Sequence, residues 1–298
     1  MKSRLVRKTK EEVIFEIVNI ILLSIVIIIV LYPLIYVISA SLSKPTHVLN
    51  GDIMLFPKEI SFEAYKGVLE NKSILTGYFN SIIIAVVGVL LSLVMTVCGA
   101  YPLSRRDLKG GKGIMLLITF TMFFSGGIIP TYLLMGKLNL LNSIWVLILP
   151  GAISTYNLII TRTYFMTAIP FEMQEAAMID GCSNVGVLIK IILPLSAPIL
   201  AVIGLYYLVG YWNAFFGAMM YITDRAKYPL QLVLREILIQ SQTSAMMELD
   251  TTTLAEQAMR GEVIKYSVIV VSSLPMLIIY PFIQKFFVKG VMIGAVKG

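Results

Sequence analysis

Hydrophobic positions gather into six runs, at about 15–39, 79–103, 113–135, 143–163, 187–213 and 264–286, and the segments between them carry nearly all the charge. Each run approaches the 20 or so residues a helix needs to cross a hydrocarbon core of roughly 30 Å. The pattern predicts an all-α polytopic membrane helix bundle, a single transmembrane domain over 1–298 with six transmembrane helices. Six crossings leave both ends on one side. Lys2, Arg4, Arg7, Lys8 and Lys10 precede the first run, and Arg105, Arg106, Lys109 and Lys112 fill the turn after the second. The positive-inside bias therefore puts both termini and that turn in the cytoplasm. The first run is longer than the roughly 7–15-residue core of a secretory signal, so an uncleaved first helix is expected, although Ser39, Ala40 and Ser41 form a small-residue cluster.

Residues at about 170–181 interrupt the apolar pattern on the cytoplasmic side. Pro170 suits the opening of a helix, Glu172 lies where the N-terminal dipole favours negative charge, and Gly181 after Asp180 supplies a left-handed stop. The helix spans about ten residues, roughly 15 Å, half of a crossing. Ala176 and Ala177 beside Glu175 leave one face nearly flat, so another backbone can come close. Two roles remain open at this point: a docking surface for another protein, or a helix lying on the bilayer.

Composition removes several function classes. The chain is 58% hydrophobic and 14% charged, against roughly 25% charged in soluble domains. Its net charge of +7 sits at membrane edges rather than along a helix face with stacking aromatics, which argues against nucleic acid. Cys98 and Cys182 form neither a disulfide framework nor a metal spacing. His47, next to Pro45 in the first outside loop, reads as a solvated residue, and no catalytic set shares a depth. Between Ile17 and Ser43, and in the apolar interior of the other five runs, there is no Asp, Glu, Lys, Arg or His, with Lys190 only near the cytoplasmic start of the fifth. Ion-coupled transporters usually need such groups. Gly110-Gly111-Lys112-Gly113 lacks the earlier glycine and following hydroxyl of a nucleotide-binding loop, so any ATP must be hydrolysed by a separate subunit.

The interrupting segment carries a recognisable pattern: Glu175-Ala176-Ala177, Asp180-Gly181 three residues on, and Leu193-Pro194 about a dozen later. It resembles the EAA motif of binding-protein-dependent ABC importer permeases, with Cys182 where a small residue and Leu188 where a bulky aromatic are usual. Leu55-Phe56-Pro57, the stretch Ser61 to Tyr65, Trp212-Asn213, Tyr228-Pro229-Leu230 and the tail from Gln284 make the chain similar to the carbohydrate-uptake branch. That branch includes the second permease of the maltose importer and Gram-positive oligosaccharide permeases.

The resemblance implies a non-catalytic permease subunit, multi-pass in the bacterial plasma membrane, that carries a sugar or oligosaccharide by alternating access. Glu172, Glu175, Ala176, Ala177, Asp180, Gly181 and Pro194 would belong to a coupling helix seated on an ATPase, and Gly290, Gly294 and Lys297 to a tail at 287–298 that reaches between ATPase subunits. Implied partners are a second homologous permease, two ATPase subunits, an extracellular substrate-binding lipoprotein and membrane lipids. ATP and Mg would be bound by the ATPase, and no cofactor by this chain. The alternatives are an ABC permease for another solute, a stand-alone secondary transporter and a membrane scaffold.

Candidates for the substrate path are Tyr211, Trp212 and Asn213, bracketed by Gly210 and Gly217, because aromatic faces suit sugar C–H surfaces and amides suit hydroxyls. Trp and Tyr also populate membrane interfaces with no ligand. Asn157, expected mid-membrane, is a further candidate that must bond either a solute or a neighbouring helix. The uncharged stretch Ile191 to Thr223 is longer than one crossing, so a tilt or bend near Pro194 and Pro198 is expected. Ser125-Gly126-Gly127 with Pro130 allows a kink or a close helix approach in the third run. The outside loops at 40–78 and 214–263 are expected to be partly helical, with Ser61 capping a helix that shows Phe62, Tyr65, Val68 and Leu69 on one face. They read either as docking surfaces for a binding protein or as caps over the bundle.

Overall fold

The computed structural model describes residues 9–246, 264–282 and 284. Gly290, Gly294 and Lys297 of the tail lie outside them, as does much of the second outside loop.

The described residues form two compact units, the first comprising 9–71 with 237–246 and 264–271. It opens with α1 (Lys10–Ser41), started by a capping box in which the Thr9 hydroxyl accepts from the Glu12 N–H and the Glu12 carboxylate accepts from the Thr9 N–H. Side chains from Lys10 to Ile35 are exposed, an apolar cylinder whose natural solvent is lipid. At its end Ser39, Ala40 and Ser41 are buried, because the chain folds back through α2 (Pro45–Leu49) and α3 (Glu63–Glu70). Ser39 donates to Leu55 O at 2.7 Å, Ser43 to Ser39 O at 2.7 Å, and the Ser41 and Tyr65 hydroxyls meet at 2.8 Å. Ala40, Val48, Ile53 and Ala64 form the small core, with Tyr36 edge-on to Tyr266.

Two expectations change here. Ser61 accepts the Glu63 N–H at 3.3 Å, but Phe62 holds the cap position, and the buried stripe is Ala64 and Val68 while Phe62 and Leu69 stay exposed. The glycine at 67 lets Ile264 approach to where a Cβ would meet it at 3.3 Å, which turns the helix onto that face. His47 stays partly exposed but is not without partners: its Nδ1 lies 3.0 Å from Asp52 and its Nε2 3.5 Å from Glu59, which also pairs with Lys44 at 2.9 Å.

The second unit comprises 72–236 with 272–282 and 284. Its axis is α4 (Lys72–Ser104), one unbroken helix of 33 residues. Gly77, Ser81, Ala85, Gly88, Ser92, Thr96 and Ala100 are its buried small residues, three or four apart on one face, the spacing that lets membrane helices come close. The elements that follow are α5 (Gly111–Phe123), α6 (Ile128–Lys137), α7 (Trp145–Ile148), α8 (Thr155–Thr167) and α9 (Phe171–Ile179). After these come α10 (Asn184–Val187), a π-helical stretch (Leu188–Ile192), α11 (Leu193–Leu195), α12 (Ala197–Asn213), α13 (Phe216–Tyr221), α14 (Leu230–Met246) and α15 (Ile264–Phe282). Both α8 and α12 pack along α4.

Three apolar runs are not single straight helices. The run 113–135 bends by 112° between α5 and α6, where Gly127 takes φ +86°, a conformation open to glycine. The run 187–213 bends by 81° at Ser196, between Pro194 and Pro198, each of which removes a helical N–H. The run 143–163 divides at Leu149–Gly151, a 3₁₀ turn containing Pro150, and resumes only after Ser154 caps α8. Among the described residues three helices are long and apolar enough to cross a membrane, or up to five if each bent pair is one span, against the six expected.

The His47 cluster makes a pH prediction. Its hydrogen bond to Asp52 raises the imidazole above its ordinary value, while Asp52 and Glu59 are held below the carboxylate range by bonds to His47 and, for Glu59, first to Lys44. Protonated His47 thus favours the folded loop fully below about pH 6.5 and loses that effect as pH rises through the raised value; the carboxylates act above their ordinary values and lose it on acidification. Hydrogen exchange of the 42–61 backbone, corrected for intrinsic rates, should be slowest between about pH 5 and 6.5. His47→Gln should flatten the alkaline side of that profile, and an unchanged profile would rule the cluster out as its cause.

Candidate functional site

The charged segment folds as expected in outline. Pro170 occupies the cap position of α9, Glu172 lies exposed in the first turn, and Asp180 closes the helix. Gly181 takes φ +83°. Its N–H reaches Met178 O at 3.1 Å and the Cys182 N–H reaches Ala177 O at 2.9 Å, the paired bonds of a Schellman motif. Glycine is thus needed for backbone conformation, since a Cβ there would meet no atom within 4 Å.

The faces of α9 differ from the sequence expectation in one respect. Ala177 does not share an outward flat surface with Ala176; with Met178 and Cys182 it packs on a core of Ala100, Tyr101, Leu103, Phe165, Ile169, Val187 and Ile192. The Schellman turn brings Cys182 back over Ala177, which is why both turn inward. Outward lie Glu172, Met173, Glu175, Ala176, Ile179 and Asp180, with Ile179 86% exposed. Among the described residues no ion pair engages the three acids. The surface presented is acidic with apolar residues between, suited to a complementary protein groove. Pro194 lies exposed beside the helix bend at Ser196, at the far end of the segment that follows.

The turn after α4 holds this helix. Arg106 stacks over the Phe171 ring at 5.1 Å. Arg105 grips Asp107 through two bonds of 2.8 Å and touches Tyr101 Oη at 3.4 Å and Met178 Sδ at 3.5 Å. That fork holds the Asp107 carboxyl below its ordinary range and the guanidinium above its own. Arg162, whose basic side chain the composition argument passed over, donates to Leu103 O at 2.8 Å and so satisfies a terminal carbonyl of α4.

A cavity of about 610 Å³ opens elsewhere in the same unit, lined by Tyr156, Asn157, Tyr206, Tyr207 and Tyr211 together with Ser154, Gly151 and Gly210. Asn157 and Tyr211 thus line one cavity, and among the described residues no charged side chain lines its wall. Trp212 and Asn213 do not join them. Trp212 is buried, donates to Ser272 O at 3.1 Å and meets Tyr78 edge-on, while the Asn213 amide bonds Val209 O on its own helix. Tyr156, Tyr206 and Tyr207 were missed, although the tyrosines at 207 and 211 sit four apart, one helical turn, on one face. Their hydroxyls are anchored to α4: Tyr207 to Thr96 at 2.8 Å and Tyr211 to Ser92 at 2.9 Å. Tyr207 also accepts the Ser154 N–H, and Tyr211 donates to Ile148 O. The broken helix at 149–154 thereby gains partners for its freed backbone groups.

No family model matches the chain. It is 44% identical over 290 residues to Protein LplC of Bacillus subtilis, covering 97% of each. It is 43% identical over 267 residues to the polygalacturonan/rhamnogalacturonan transport system permease protein YtcP of the same organism, covering 89% of this chain and 92% of that one. In three dimensions it is similar to a chain of a bacterial ABC transporter involved in the import of the acidic polysaccharide alginate. That match has 35% sequence identity and a TM-score of 0.85, over 95% of this chain and 99% of the other.

Gly88 tests the cavity wall. A Cβ there would lie 2.7 Å from Tyr211 Cε2, so Gly88→Ala should push the ring from Ser92 and cost about 1–3 kcal/mol. Thermal unfolding in detergent should show a clear drop for it, whereas Gly113→Ala, with no atom within 4 Å of the new Cβ, should be neutral. Equal effects would exclude the close approach.

Proposed function

The chain belongs to the ABC importer permeases, alongside LplC and YtcP, and on that premise we propose that it carries a sugar or oligosaccharide across the plasma membrane by alternating access. The observation that carries the reading is α9: a short helix closed by the glycine turn at 181, clamped to α4 on one face, with Glu172, Glu175, Ala176, Ile179 and Asp180 free on the other. We assign it as the coupling helix, seated on one of two ATPase subunits that bind ATP and Mg. Further partners are a second homologous permease and an extracellular substrate-binding lipoprotein.

In this reading the segments 145–167 supply the sixth crossing, broken at Pro150 and lined by the cavity, and both termini are cytoplasmic. Tyr211 and Asn157, joined by Tyr156, Tyr206 and Tyr207, offer aromatic faces and one amide to a solute. Trp212 is held in helix packing instead, and Asn213, exposed, bonds its own helix. Names of relatives support a carbohydrate cargo: polygalacturonan and rhamnogalacturonan for YtcP, arabinooligosaccharides and galactooligosaccharides for AraQ and GanQ. Gly290, Gly294 and Lys297 stay assigned to a tail that meets the ATPase pair.

Replacing Gly181 by valine forces a branched residue into the left-handed region at a cost of roughly 1–2 kcal/mol. Normal membrane insertion with reduced ATPase co-purification and reduced labelled-oligosaccharide uptake is expected, with Gly181→Asn retaining most of both. Uptake equal to wild type in the valine variant would remove the coupling assignment. Purified chain alone in liposomes should move no solute down an ion gradient; such flux would establish a secondary transporter. Exchange of the cognate binding protein, with uptake of labelled amino acids and sugars compared, separates a sugar permease from one for another solute.

A further inference from the structure

We propose that Tyr101 and Arg105 are positioning residues that make α4 a rigid lever, joining the α9 surface to the tyrosine-lined cavity. The inference rests on the coupling reading of α9 and adds to it the route by which movement of that helix reaches the path.

Four features carry it. The first is the grip at the cytoplasmic end. Tyr101 is 5% exposed and donates to Asn184 O at 3.1 Å, just beyond the glycine turn, while its oxygen accepts from Arg105. Arg105, with a side chain only 9% exposed, touches Met178 in the last turn of α9, and Arg106 covers Phe171 in the first. The two ends of α9 are therefore tied to the turn that directly follows α4, and the start of α10 to the last turn of α4 itself. The second feature is how that grip is held rigid. Asp107 fixes the guanidinium plane through a two-point fork, a geometry lysine cannot reproduce.

The third feature lies farther back along the same helix. Thr96 and Ser92, five and nine residues before Tyr101 and so about 7 and 14 Å along the axis, bond the hydroxyls of Tyr207 and Tyr211 that line the cavity. Those two hydroxyls in turn hold the backbone at Ser154 and Ile148. The fourth is continuity. The runs 113–135, 143–163 and 187–213 are each bent or broken, whereas α4 passes from one site to the other without interruption. A push on α9 that bends elsewhere is carried through α4, because a packed helix moves as a body rather than deforming continuously.

Spatial continuity alone does not establish coupling, so the test measures coupling. The full complex is reconstituted with its ATPase subunits, binding protein and an oligosaccharide it imports, and ATP hydrolysed per solute imported is recorded. Tyr101→Phe removes one oxygen, and Arg105→Lys keeps the charge while losing the fork. Both should retain ATPase co-purification at wild-type level, since the outward face of α9 is untouched. Both should raise ATP consumed per solute about fivefold or more. A double variant of Tyr101→Phe with Thr96→Val should be non-additive in that ratio, as two cuts in one lever. If Arg105→Lys inserts poorly, Tyr101→Phe and the double variant decide. An unchanged ratio, or strict additivity, overturns the lever while leaving the docking surface in place. Failure of the wild-type chain to retain the ATPase at all instead overturns the coupling reading itself.

Discussion

The close approach of α12 to α4 is the constraint on which the second unit depends. Helices in lipid gain little from burying apolar side chains, because the tails are as apolar as leucine, and they associate where small residues let backbones and side chains interlock. Along one face of α4 the buried residues include a row of glycine, serine, alanine and threonine, and into that groove Tyr211 lays its ring against Gly88. Serine and threonine in the same row then receive the tyrosine hydroxyls. One stripe thus supplies both the room for the ring and the partner for its polar tip. Further out the same helix brings Gly77 against the Leu230 backbone, whose N–H bonds Ser81.

Once α4 is fixed, the broken segments acquire a rationale. Unpaired backbone groups are costly at membrane depth unless protein or a water-filled cavity meets them. The 3₁₀ turn at Leu149–Gly151 frees such groups beside the cavity, and Tyr207 and Tyr211 meet them at Ser154 and Ile148. The cavity wall therefore consists of residues that also repair the helix break. At the end of α4 Arg162 meets the Leu103 carbonyl, and the Arg105 turn fastens α9 beside it. Family membership, with relatives matched along almost the whole chain, gives this arrangement of surface, helix and cavity its purpose as a permease.

The sequence made several parts legible. Bends at Pro194, Pro198 and Gly126-Gly127 were readable because proline and glycine alter the backbone whatever surrounds them. The glycine stop at 181 followed from the same local chemistry. The tyrosine cavity was not readable, because Trp212 and Asn213 carry the more conspicuous sugar-binding chemistry and nothing local shows that they turn toward Ser272 and Val209. The fourth run looked like one crossing because hydropathy does not register Pro150 and Gly151 as a break when their neighbours are apolar. The partners of His47 were not readable because Asp52 and Glu59 reach it only through a folded loop.

By itself, then, the sequence determined the solvent of this chain, the place of its basic turns between apolar runs and the presence of a short polar helix with a glycine stop. Each follows from composition or from the backbone preferences of single residues. Only the tertiary structure decided which face of α9 is free, which tyrosines share a cavity, and that α4 passes unbroken between the two. Those depend on the rotation of one helix against another, and that rotation is set by where small residues allow two helices to touch.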